Sequence, residues 1–104
     1  MNYENIKAEE FKNMIEENPN MEILDVRTAG ELAQGIILGA SNIDIMDSKF
    51  ADKISKLPKD KPYMVYCRSG ARSAQACEIM SGKDFGKLYN LSGGISRWPY
   101  EAQR

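Results

Sequence analysis

The sequence predicts an α/β fold built on a mainly parallel sheet covered by helices on both faces. Two observations carry this. Short β-prone runs alternate with amphipathic helical patterns along the whole chain, and their spacing is that of right-handed βαβ units. Taken in order, a short apolar start at Tyr3 to Ile6 precedes Ala8, Phe11, Met14 and Ile15, which share one helical face until Asn18-Pro19-Asn20 ends it. Glu22-Ile23-Leu24-Asp25-Val26 reads as a buried strand. Thr28-Ala29-Gly30-Glu31 has capping-box form and opens a short helix to about Gln34. Beyond Gly35 to Gly39, Ser41-Asn42-Ile43-Asp44-Ile45 makes another short strand. Asp47 or Ser48 is placed to cap the next helix, whose Phe50, Ile54 and Leu57 share a face and which Pro58 stops. Tyr63-Met64-Val65-Tyr66 is a strand ending directly at Cys67. Arg72 to Met80 are good helix formers with Gly82 as the stop. Lys87 to Leu91 is the last strand, and Ser92-Gly93-Gly94 leads to a terminal helix around Ile95 to Trp98.

With 104 residues, size scaling allows roughly 65% of the unfolded surface to be buried, enough for one compact domain over 1–104 with its core at about 6–100. No apolar run approaches the ~18 residues needed to cross a bilayer, and the first residues lack a signal-peptide pattern, so a cytoplasmic chain is expected. The charge balance of 14 basic against 15 acidic residues, with no basic cluster longer than a pair, gives no reason to expect nucleic acid or an anionic membrane as partner. Histidine is absent, which excludes Ser-His-Asp and Cys-His catalysis within the chain. Two cysteines are too few for an ordinary zinc site, so no metal is expected, and in a cytoplasmic setting each is to be judged for reactivity.

Cys67 is the one placed for chemistry. In Tyr66-Cys67-Arg68-Ser69-Gly70-Ala71-Arg72-Ser73 a buried strand passes into a helix through a short turn, so the sulfur sits where ligands bind in such sheets. Gly70 gives the turn its backbone freedom, successive amides and the helix N-terminus supply positive potential, and Arg68 and Arg72 add full charges. All of these favour thiolate. The magnitude matters, because a cysteine of pKa ~8.5 is only ~3% ionised at pH 7 whereas one of ~6 is ~90% ionised. The same cradle suits a small anion carrying an electrophilic atom.

These residues resemble the rhodanese-like sulfurtransferases in their short single-domain form, and the likeness runs from about Glu22 to Trp98. Asp25-Val26-Arg27 is similar to the motif after the family's second strand. Glu31 with Gly35, Ile37, Gly39, Ala40, Asn42 and Ile43 matches the next block, Cys67 to Ser73 the active-site loop, and Leu91-Ser92-Gly93-Gly94 with Trp98 the C-terminal signature. The resemblance implies a five-stranded, mainly parallel rhodanese-like sheet with helices on both sides. It also implies a ping-pong sulfur transfer through a persulfide on Cys67, from a small anionic donor such as thiosulfate or from a protein persulfide, to cyanide or a thiol, with no cofactor. Amides of residues 68 to 72 (Arg68, Ser69, Gly70, Ala71, Arg72) would hold the outer sulfur, and Arg68 and Arg72 the donor's anionic end. The chain departs from the family at Ile36, where histidine is common, and at Leu32, where an aromatic is common; Ile36 is expected to affect packing or the pocket rim.

Other readings are a cysteine phosphatase or arsenate reductase, and a docking or sulfur-carrier module. Phosphatase loops place five residues between cysteine and arginine, but four separate Cys67 from Arg72. A purely inactive module has no need of Cys67. Supporting roles are expected for Asp25, ordering the loop edge; Arg27, pairing with Glu31 at helical spacing; Ser73; and Gly93 and Gly94, allowing close backbone approach beside the loop. Cys77, at helical spacing from Ala74 and Met80, reads as a core residue, with a resolving thiol as the alternative; Trp98 reads as a core anchor and the six methionines as core filler.

Overall fold

The computed structural model describes residues 2–103. Strands β1 (Glu4–Ile6), β2 (Glu22–Asp25), β3 (Ser41–Asn42), β4 (Tyr63–Tyr66) and β5 (Leu88–Leu91) form one sheet in the order β1-β5-β4-β2-β3, every neighbouring pair parallel. Helices α1 (Ala8–Glu17), α2 (Phe50–Ser55) and α3 (Ala71–Ser81) are joined by two 3-10 segments, Ala29–Gln34 and Ile95–Arg97.

Strand β4 lies at the centre of the sheet and all four of its residues are buried, as a strand covered on both faces must be. Its side chains alternate. Tyr63 and Val65 join Leu24, Phe50, Ile54, Ala76 and Met80 under α2 and α3. Met64 and Tyr66 join Ile6, Phe11, Ile23, Ile37 and Leu91 under α1. Trp98 closes this second layer, its ring edge-on to Phe11 with centroids 5.8 Å apart. The accessible surface of 6107 Å² is close to the ~5,900 Å² expected for this mass. Among the described residues, no helix is long and apolar enough to cross a membrane.

Three local expectations are corrected. β3 has two residues rather than five. The chain still runs beside β2, Ile43 N donating to Asp25 O at 2.9 Å and Ile45 N to Val26 O at 3.1 Å, but Asn42 Nδ2 also donates to the carbonyls of Asp25 and Arg27, each at 2.9 Å, and Asp44 Oδ1 accepts from Met46 N at 2.8 Å to start a turn. The residue before α2 is Lys49, not Asp47 or Ser48; Asp47 holds the preceding turn through Lys49 N at 2.8 Å and pairs with Lys53. Met64 and Met80 are core residues, but Met46 is 72% exposed, and Met1 lies outside the described residues.

Candidate active site

Cys67 follows the last residue of β4, and α3 begins four residues later, so the sulfur lies at the carboxyl edge of the sheet facing a helix N-terminus. Gly70 N approaches Sγ at 3.1 Å, and Ser73 N and Oγ each at 3.4 Å. Gly70 must be glycine here. Its φ is +103°, and a Cβ would stand 3.2 Å from Leu91 O and 3.3 Å from Gly93 N.

The loop's amides point inward because its carbonyls are drawn outward. Ile95 N donates to Cys67 O at 2.9 Å and Ser96 N to Arg68 O at 3.0 Å. This clamp depends on Gly94, whose backbone packs directly on the Arg68–Ser69 peptide. Gly93, at φ +82°, has its backbone N beside Gly70 of the loop, and the space its own Cβ would take is filled by the Arg97 side chain.

Burial pushes the Cys67 thiol up, but the donors around Sγ outweigh it and draw the thiol below its ordinary range: the Ser73 hydroxyl when its proton is turned to the sulfur, and the Ser73, Gly70 and Ser69 amides, which point there whichever way that proton turns. Cys67 is wholly covered in this arrangement. Cys77 is also buried, but among the described residues nothing donates to it, and burial pushes its thiol up to about 12. It is a poor nucleophile at neutral pH. Cys77→Ala is therefore expected to leave sulfur-transfer turnover unchanged and to cost about 1 kcal/mol for the lost packing, checked by steady-state rates and urea unfolding. A large loss of turnover would assign Cys77 a resolving role.

The arginines divide their duties. Arg72 is committed: its two terminal nitrogens bind the two oxygens of Glu31 at 2.7 and 2.8 Å. Arg68 is exposed and has no ion-pair partner among the described residues, and it borders a cleft of about 330 Å³ shared with Gln34, Ile95 and Trp98. Arg27 is not paired with the Glu31 carboxylate as expected. It is buried against Asp25, with Nη2–Oδ2 at 2.7 Å, and donates to the backbone carbonyls of Glu31 and Gly35. The helical spacing did not apply because Arg27 precedes a 3-10 segment and shares a strand face with Asp25, two residues back. Asp25 Oδ1 also accepts Arg27 N at 2.9 Å. Ala71 opens α3 and Ser69 is exposed on the loop. Ile36 makes a backbone bridge with Gln103.

Two residues outside the expected set support the loop. Glu31 forms the capping box with Thr28 and holds Arg72, and Arg72's guanidinium is the main cause holding its carboxyl down at about 2. The unfolded carboxyl titrates near 4.5, so this pair stabilises the fold fully above that pH and its contribution is lost as pH falls from about 4.5 to about 2. Since both side chains keep about a quarter of their exposure, solvent limits the effect to about 2 kcal/mol. Glu31→Gln is expected to unfold with a shallower acid dependence in that window; an acid titration identical to the wild type would refute the pair's contribution. Asn90 is the second, buried in an otherwise apolar strand; that polar interruption was its signal in the sequence.

The family model described as Rhodanese-like domain matches residues 7–101. A sulfurtransferase of Allochromatium vinosum is 36% identical over 93 residues, covering 89% of this chain and 85% of that protein. A thiosulfate sulfurtransferase, GlpE of Shewanella oneidensis, is 30% identical over 82 residues, 79% of each. The crystal structure of a rhodanese-related protein from Thermoplasma volcanium superposes with a TM-score of 0.83 at 34% identity, covering 96% of this chain and 97% of that one.

Proposed function

The chain belongs to the rhodanese-like domain family, and from that premise we propose that it transfers sulfane sulfur through a persulfide on Cys67. The observation that supports this most directly is the convergence of Gly70 N and Ser73 N on Sγ, at 3.1 and 3.4 Å, in a chain that has no histidine to activate a nucleophile.

With thiosulfate as donor, the Cys67 thiolate attacks the sulfane sulfur. The donor's S–S bond breaks with its electron pair leaving on sulfite, and one negative charge remains on the outer sulfur of the persulfide. Burial of the resting thiol means that residues 68–70 or the Cys67 side chain must shift to admit the donor. Inward amides of the loop then take the outer sulfur, as they would an oxyanion. Cyanide, or a thiol acceptor, attacks that outer sulfur and returns Cys67 as thiolate. Arg68 binds the donor's anionic end; Arg72, held by Glu31, fixes the loop and adds positive potential. A protein persulfide is the alternative donor. The chemistry needs no cofactor or metal.

Steady-state turnover of thiosulfate and cyanide tests the scheme. Parallel double-reciprocal lines at varied cyanide are expected; intersecting lines would mean that both substrates bind before sulfur moves, without a persulfide.

A further inference from the structure

The hydroxyl of Ser73 has one proton and two acceptors. It approaches Cys67 Sγ at 3.4 Å and hydrogen-bonds Asn90 Oδ1 on the other side. All three residues are buried, so no solvent relieves the competition.

The orientation of Asn90 decides it. Its side chain faces Gly70 O at 3.2 Å and Asn5 Oδ1 at 2.9 Å, and its cross-strand partner in β1 is Asn5 itself. A backbone carbonyl only accepts, so the amide edge toward Gly70 must be Nδ2, and Oδ1 is left facing Ser73. Oδ1 also only accepts. The Ser73 proton therefore lies on the Asn90 side, and a lone pair of Oγ faces the sulfur.

We propose that Asn90 is a positioning residue that withholds the Ser73 hydroxyl proton from Cys67, leaving the nucleophilic sulfur to the backbone amides alone. A hydroxyl donating to a thiolate would stabilise it and blunt its attack; withheld, it leaves each thiolate more basic and more nucleophilic, at the expense of some thiolate fraction that the amides supply. After sulfur loading, the inner sulfur is neutral and needs no donor, so the Ser73–Asn90 bond persists unchanged in the persulfide. The same Asn90, through Gly70 O, holds the loop residue whose amide reaches Sγ. This role rests on Cys67 being the nucleophile, but its test uses no sulfur donor.

The charged groups around the loop are Arg68, Arg72 with its partner Glu31, and Asp44, which acts on Arg72. None is altered by the variants. The ultraviolet absorbance of the thiolate is followed against pH in the wild type, Ser73→Ala, Asn90→Ala and the double variant; Cys77, pushed up to about 12, is silent over the working range. Ser73→Ala is expected to leave the Cys67 midpoint within a few tenths of a unit, because the lost hydroxyl was not serving the sulfur. Asn90→Ala frees that hydroxyl and is expected to lower the midpoint by about one pH unit, an effect absent in the Ser73→Ala background. A Ser73→Ala midpoint raised by about a unit would overturn the proposal, and that variant keeps the test decisive even where Asn90→Ala does not fold. Equal shifts from Asn90→Ala in both backgrounds would also overturn it, reducing Asn90 to loop support.

Discussion

Cys67→Ser is expected to lower thiosulfate-to-cyanide sulfur transfer by on the order of a thousandfold or more, with the fold retained. The substitution exchanges one buried atom for a smaller one at a site where Gly70 N and Ser73 N still find an acceptor, so the stability loss should be about 1 kcal/mol. Activity falls because a serine hydroxyl does not ionise near neutral pH, and the loop, which offers amides and no base, has nothing to remove its proton. Residual turnover within tenfold of the wild type would mean that sulfur passes elsewhere, and Cys77 would then be the first residue to examine.

Gly94→Ala is expected to have the largest effect on stability. A Cβ there would lie 2.3 Å from Arg68 O, 2.4 Å from Arg68 C and 2.6 Å from Ser69 N, all backbone atoms with no rotamer to yield. The residue also sits at φ +62° and ψ −167°, a region open to glycine alone. The backbone must separate, at a cost of about 3 kcal/mol or more, which lowers the melting temperature by more than ~10 °C in a domain of this size. Separation also breaks the bonds that turn the Cys67 and Arg68 carbonyls outward, so the inward amides lose their aim and turnover should fall more than stability alone accounts for. Gly30→Ala is the control, with nothing within 4 Å of the added methyl, and should melt like the wild type. If the two variants melted alike, the packing of Gly94 on the loop would be refuted.

The parts of this site that were legible in the sequence are those fixed by local chain geometry. A strand that runs into Cys67, a glycine three residues on and a helix start immediately after place the sulfur at a sheet edge beside a helix N-terminus, while the aim of the amides is completed by the distant Gly94 to Ser96 segment. The family membership and the α/β architecture were legible for a related reason: motifs in order along a βαβ chain fix both. What the sequence hid depends on which distant segments meet. Glu31 and Arg72 are 41 positions apart, and the bidentate pair between them appears only once the 3-10 segment after β2 is set beside the start of α3. Arg27 turns to Asp25 for a local reason, two residues back on the same side of the chain, which the helical spacing to Glu31 obscured. Asn90 was visible as a polar residue in an apolar strand, but only the parity of β5 places it under Ser73 rather than under α1. β3 is short because past Asn42 its contact with β2 passes to side-chain bonds of Asn42 and an Asp44 turn beside two single backbone bonds, which hydrophobic patterning does not register.

The most direct test of sulfur transfer through Cys67 is the intact mass of the protein after exposure to thiosulfate or to a protein persulfide, followed by mapping of the modified peptide. One sulfur atom is expected to be gained on the peptide bearing Cys67 and removed by cyanide with thiocyanate released, with no gain in Cys67→Ser. Sulfur carried on Cys77, or an unchanged mass with both donors, would contradict transfer through Cys67.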